Sequence, residues 1–146
     1  QIYMGGLGSA IAGLYLPGLP LWLHVPLALA CGFGLGALWG LIPGYLKAFR
    51  GVNEVITTLL LNYVAQYFVS YLVSGPMLEP NAPSPFSPPL EPTAQLPILL
   101  PQTQAHAGIV VAIATTILAW MALTYTPFGY QIEAVGQNPI AARYAG

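Results

Sequence analysis

Apolar residues run along this chain in blocks too long and too unbroken for a helix that shows one face to water. Residues 26–46, 55–74 and 107–125 each approach the roughly 20 apolar residues that cross a bilayer. A fourth block, 2–16, is shorter and stops at Pro17-Gly18-Leu19-Pro20. It reads as the end of a span or as a broken helix packed inside a bundle. Between the last two long blocks, 75–106 carries Pro76, Pro80, Pro83, Pro85, Pro88, Pro89, Pro92, Pro97 and Pro101, with no Lys or Arg. Proline removes backbone N–H donors and clashes with the preceding turn, so no regular helix is expected there but an extended loop folded over the bundle. Beyond residue 125 the chain turns more polar, and Asn138-Pro139 is a helix-start signal. Asn can cap the orphan N–H groups of a first turn, and Pro is pre-set for the first helical position. The helix so begun, 139–145, is too short to stand alone in water and must be held by lipid, by the rest of the subunit or by a soluble partner. The predicted fold is all-α: one partial transmembrane domain over 1–146, a polytopic bundle of about four membrane segments with a proline-rich outer loop and one short terminal helix.

Charge sharpens this picture. Only seven residues are charged: Lys47, Arg50, Glu54, Glu79, Glu91, Glu133 and Arg143. A soluble domain carries about 25% charged residues, and 5% cannot cover a water-exposed surface of this size, whereas lipid requires none. Lys47 and Arg50 lie between the second and third segments, and Arg143 follows the fourth. One crossing per segment puts all three on one side, which the positive-inside rule makes cytoplasmic; 47–54 and 126–146 are then inside and 75–106 outside. No basic run suits nucleic acid, and no Gly-x-x-x-x-Gly-Lys loop would hold a nucleotide phosphate. The single Cys31 excludes an intrachain disulfide and reads as packing. Gln1 is an unusual natural start and 146 falls inside the predicted last helix, so the sequence reads as an internal piece of a longer subunit.

Three constellations bear on function. Gly32, Gly36, Gly40 and Gly44 recur every fourth residue, which puts them on one helical face where a second helix can approach closely; Gly5, Ser9 and Gly13 repeat the device in the first block. Tight packing is the plain reading, and a hinge for alternating access is the other. In the third segment Thr58, Asn62, Gln66 and Ser70 form a slowly rotating polar stripe with Tyr63, Tyr67 and Tyr71 beside it. Amides in lipid need partners, so the stripe faces either another helix or a water-filled substrate path, where it would suit a ligand with a flat ring and hydroxyls. Asn53 is placed to cap that segment, with Glu54 near the positive end of its dipole or in contact with a cytoplasmic partner. His24 and His106 fall near the outer surface with no second ligand at metal-binding spacing, and Glu79 and Glu91 read as solvated. No serine has a histidine at a suggestive spacing, no carboxylates are adjacent and Asp is absent, so no catalytic set emerges.

The strings LWGLIPGYLKAFRGVNEVITTLLLNYVAQYFVSYLVSGP (38–76) and TPFGYQIEAVGQNPIAARYAG (126–146) resemble permease subunits of ATP-binding-cassette importers of the simple-sugar, branched-chain amino acid and nucleoside class. The outer loop, ending LPILLPQTQAHAG (96–108), is similar to the longer of the two permeases of nucleoside importers. The resemblance implies that 133–146 is a cytoplasmic coupling element docking into a groove of an ATPase, with Gly136, Asn138, Pro139, Ala141, Ala142 and Gly146 matching the family pattern. Ile140 and Tyr144 would present one apolar face to the partner, and Arg143 would reach an acidic residue. Gly51-Val52-Asn53-Glu54-Val55-Ile56 matches the family's cytoplasmic entry to a core span. Glu133 departs from the pattern, since relatives often carry a basic residue there. The implied partners are two ATPase chains, a second permease expected to be a different chain, an external binding protein and membrane lipid. ATP and magnesium would be held by the ATPases, with no cofactor in this chain. An ion-coupled secondary transporter, which would need an intramembrane carboxylate from outside this sequence, and a non-transporting assembly protein are the competing readings.

Overall fold

A computed structural model describes residues 1–80, 84–99 and 106–145. Pro83, Pro101 and Gly146 lie outside the described residues. Among the described residues the chain is helical, without strands; a lone bridge pairs Ile98 with His106. It divides into two compact units, Gln1–Gln95 and Leu96–Gly146.

The first unit holds α1 (Ile2–Tyr15), α2 (Leu21–Arg50) and α3 (Glu54–Ser74). Helix α2 is longer at both ends than the expected 26–46. Its first turn is set by Pro20, whose carbonyl accepts from the Leu23 and His24 N–H groups at 2.9 Å each. Pro26 therefore sits inside the helix rather than opening it. At the other end Lys47 and Arg50 occupy the last turn, where cations suit the helix dipole. Gly51 then closes the helix in the left-handed region at φ 62°, a conformation a side chain would strain. Thirty residues make a helix about 45 Å long, enough to cross hydrocarbon and both interfaces. Helix α3 begins where its cap signal placed it: the Asn53 side chain accepts from the Val55 N–H at 2.9 Å. Lys47 pairs with Glu54 across the intervening turn, so Glu54 joins α2 to α3 as well as opening a helix. Both side chains are about half exposed, and such a pair adds little stability.

Helices α1 and α2 meet backbone to backbone. A Cβ on Gly8 would lie 2.6 Å from the Cys31 carbonyl oxygen, and one on Gly32 would meet the Ser9 hydroxyl and stand 2.9 Å from the Gly5 carbonyl. Cys31, read from sequence as packing, is exposed as a residue, and its backbone carbonyl is what meets α1. Met4 and Leu7 of α1 form the core with Ala65 of α3 and Met77 of the loop, bordered by Leu35, Trp39, Val69 and Leu72.

Within the first unit, residues 90–94 of the proline-rich segment pack against α1 and α2, and they include one 3-10 turn, Pro92–Ala94, where no regular helix was expected. A three-residue turn is compatible with Pro92 because Pro suits the first position of a helical turn. Leu90 and Ala94 lie against Gly13, at 3.0 and 3.2 Å from where its Cβ would be, and the Glu91 N–H donates to the Gly13 carbonyl at 3.3 Å. His24, expected near the outer side of the membrane, is 0% exposed within the unit. Its Nε2 lies 3.2 Å from the Ala12 carbonyl oxygen and its Nδ1 2.8 Å from the Thr93 hydroxyl. A carbonyl can only accept, so Nε2 donates to Ala12, while Nδ1 bonds the Thr93 hydroxyl. One imidazole thus ties α1, α2 and the loop together.

The second unit contains α4 (Gly108–Tyr125), α5 (Pro127–Gln137) and α6 (Pro139–Ala145). His106 Nδ1 accepts from the Gly108 N–H at 3.1 Å at the start of α4. Thr115 and Thr116 turn their hydroxyls back onto carbonyls of Val111 and Ala112 at 2.7–3.0 Å, leaving an apolar exterior. Among the described residues α2, α3 and α4 are long and apolar enough to cross a membrane, and α1, with 14 residues, is shorter.

Replacing His24 with Ala leaves the Ala12 carbonyl and Thr93 hydroxyl unpaired beside a cavity, a loss of about 2–4 kcal/mol. Hydrogen exchange at the Glu91 amide is expected to accelerate in His24→Ala and to fall between the two in His24→Gln, which keeps a donor and an acceptor. Unchanged exchange would show that apolar contacts alone seat the loop.

Candidate functional site

Four-residue spacing advances about 40° around a helix, so the polar stripe of α3 peels away from the buried line through Ala65. Thr58 lies nearest that line, and its hydroxyl is spent within its own helix, donating to the Glu54 and Val55 carbonyls at 2.7 and 3.1 Å. Asn62, Gln66 and Ser70 are exposed and form no hydrogen bond to a described residue. Tyr63, Tyr67 and Tyr71 are exposed as well, on the far side of α3 from Ala65. Gln66, Ser70 and the tyrosines thus occupy the open face of the unit.

The structure brings two stripe residues into a cleft. Thr58 and Asn62 of α3 line a space of about 690 Å3 with Tyr3 of α1 and Trp39 and Pro43 of α2. Neither Trp39 nor Pro43 was singled out from sequence, although their spacing held a signal. A residue four before a proline loses its helical partner, because Pro43 has no N–H to give to the Trp39 carbonyl. Trp39 Nε1 is buried and meets no acceptor among the described residues. A donor left in that condition costs about 1–3 kcal/mol.

The glycines of α2 separate into different surroundings. Gly32 and Gly36 lie against α1, with the Gly5 Cα 3.7 Å from a Cβ built on Gly36. Gly40 faces the Gln1 side chain, and Gly44 has open space beside it. Within this unit, Gly32 and Gly36 make the close approach to α1.

The terminal segment is built from two helices where one was expected. Thr126-Pro127 repeats the cap-and-proline signal of Asn138-Pro139, and it was the legible clue to α5. The Thr126 hydroxyl accepts from the Gly129 N–H at 3.3 Å and donates to the Ala122 carbonyl, bridging the end of α4 and the start of α5. Gly129 is buried where a side chain would collide with the Leu123 carbonyl, so glycine is needed at this turn. Along α5, Phe128, Ile132 and Val135 share one face, and Glu133 and Gln137 share the opposite one, joined by a 3.2 Å hydrogen bond. Asn138 then accepts from the Ile140 and Ala141 N–H groups at 3.0 and 3.1 Å, capping α6.

Around this elbow the residues expected to couple divide. Ile140 and Tyr144 are 72% and 89% exposed, Ala141 is exposed, and Gly136 has no neighbour within 4 Å. Ala142 is half-buried and, with Pro139 and Arg143, lines a hollow of about 550 Å3 against Tyr130 and Ala134 of α5. Glu133 is engaged with Gln137 on α5.

A membrane-length helix followed by a capped, two-helix elbow is the setting in which the family match falls. The family described as branched-chain amino acid transport system, permease component, matches residues 1–146. The chain belongs to this family. The permease chain is 32% identical over 157 residues to the guanosine ABC transporter permease protein NupP of Bacillus subtilis, covering 100% of this chain and 42% of that protein. It is 35% identical over 156 residues to the glucose ABC transporter permease protein of Haloferax volcanii, with 100% and 41% covered. Against the nucleoside ABC transporter permease protein NupB of Lactococcus lactis it is 31% identical over 160 residues, with 100% and 42% covered. The permease chain thus spans about two-fifths of the length of the curated relatives it matches. No solved structure matches it.

Asn138→Ala removes the acceptor for two first-turn N–H groups, a change of about 1 kcal/mol. Exchange at the Ile140 and Ala141 amides is expected to quicken roughly fivefold, and Asn138→Ser should restore much of the protection. Equal exchange in all three would mean that α6 is held from outside its own turn.

Proposed function

We propose that this chain is part of the transmembrane permease of an ABC importer. In this reading it forms a section of the path for a small neutral solute, foremost a nucleoside, and transmits the ATPase cycle through α5 and α6. The observation that carries the proposal is the elbow itself: a capped helix fixed to a second helix, which Thr126 joins to the end of a span, with Ile140, Ala141 and Tyr144 left outward. A seven-residue helix has no stability of its own, and exposed apolar side chains four apart suit a partner's groove. Names of the relatives support the substrate: two act on nucleosides, one on glucose. The basic residues Lys47, Arg50 and Arg143 favour a cytoplasmic place for the α2–α3 turn and for the elbow.

In the assembled importer two ATPases close on ATP and magnesium, and the bundle shifts between outward- and inward-open states. A second permease, expected to be a different chain, and an external binding protein complete it. Differential contact in the two states links hydrolysis to transport. Bond chemistry belongs to the ATPases, and this chain supplies path and lever.

The test uses the full-length subunit with its genomic neighbours and Cys31→Ser to remove the exposed thiol. Cysteine at Ala141 is expected to crosslink to an ATPase in a nucleotide-sensitive way. Ala141→Trp should abolish transport while insertion persists. A subunit that inserts and transports yet never crosslinks from residues 140, 141 or 144 would remove the coupling role and favour a secondary transporter.

A further inference from the structure

The cleft among α1, α2 and α3 differs from a surface that only meets lipid. Pro43 withholds an N–H from the Trp39 carbonyl, and the Asn62 carboxamide is exposed beside it without a partner among the described residues. Tyr3 and Trp39 add two aromatic side chains, and no Lys, Arg, Asp or Glu lines the space. Its volume, about 690 Å3, falls within the ordinary range for small-molecule sites.

We infer that this cleft is a solute subsite selecting a neutral compound with a flat ring edged by hydrogen-bond donors and acceptors: a nucleobase or nucleoside. The inference rests on the permease reading above and deepens it. Asn62 offers two donors and one acceptor on one plane, the arrangement that reads a base edge. Trp39, on the neighbouring helix, lines the same space. Aromatic side chains give a ring a stacking platform that a sugar, lacking a flat π-face, uses less well. A zwitterionic amino acid brings two charges into a site with no side chain to balance either, which low-dielectric surroundings penalise heavily. The same cleft therefore separates a nucleoside from the solute in the family's own description. Thr58 is a bystander, since its hydroxyl is already bonded to its own helix.

Full-length subunit assembled with its ATPases, partner permease and binding protein in proteoliposomes provides the test, with guanosine, glucose and leucine as probes. Guanosine uptake is expected to exceed that of glucose and leucine, and Asn62→Leu should lower it about tenfold or more, the equivalent of one lost hydrogen bond. Trp39→Phe should retain most uptake and Trp39→Leu should not, at equal membrane level. Accessibility is read separately in Thr58→Cys with Cys31→Ser, which leaves Asn62 and Trp39 intact. A water-soluble maleimide should label it, and guanosine, not glucose or leucine, should protect it. No labelling would show that protein fills the cleft, and labelling without protection that no solute rests there; either overturns the inference while guanosine transport persists. A complex that carries none of the three probes overturns the permease reading itself, and this assignment with it.

Discussion

The close approach of α1 to α2 has no substitute in a chain whose helices are apolar almost all round. Lipid tails are as apolar as leucine, so burying such side chains between helices gains little, and association depends on packing and on hydrogen bonds made at short range. Glycine at 5, 8 and 32 and serine at 9 bring the two backbones together. That contact sets two further features. It brings the Ala12 and Gly13 carbonyls at the end of α1 within reach of His24 and Glu91, so the loop can be seated. It also sets the start of α1 beside Trp39 and Pro43, forming two walls of the cleft. Substituting Gly32 would therefore disturb both ends of the unit, although neither end contains it.

Features written in consecutive residues were the legible ones. Asn53 and Asn138 each cap the helix that follows, because capping needs only the next three residues. The membrane-length blocks became α2, α3 and α4 for the same reason: length and composition decide a span. What escaped depends on separation along the chain. His24 and Thr93 are 69 residues apart, and nothing in the string around His24 announces that it will be fully buried. Helix α5 escaped for another reason: Thr126-Pro127 was as plain as Asn138-Pro139, but a segment of mixed polarity after a span reads first as a tail.

The polar stripe shows how far spacing carries an argument. Every fourth residue gives a direction that rotates, and by Ser70 the stripe has left the surface that packs on α1 and α2. Amides and phenols on an apolar helix still need partners. Asn62 has a cleft beside it, whereas Gln66, Ser70 and the three tyrosines look outward from this unit. The two ends of one stripe therefore have different surroundings: one borders a space large enough for a solute, and the other presents hydrogen-bonding groups that protein or water must meet. A stripe treated as a single feature would hide that division.

The second unit has a separate device at each joint of its elbow. At the first, the Thr126 hydroxyl is bonded to α4 and α5 at once, and Gly129 lets the two backbones come so close that no side chain fits between them. At the second, Asn138 caps α6 through two N–H groups, while Ala142 and Arg143 turn toward α5. Small residues there have distinct uses. Ala141 lies on the outer face of α6 with Ile140 and Tyr144, whereas Ala142 keeps the inner face close to α5. A bulky side chain at 142 would therefore open the elbow, and one at 141 would leave it intact.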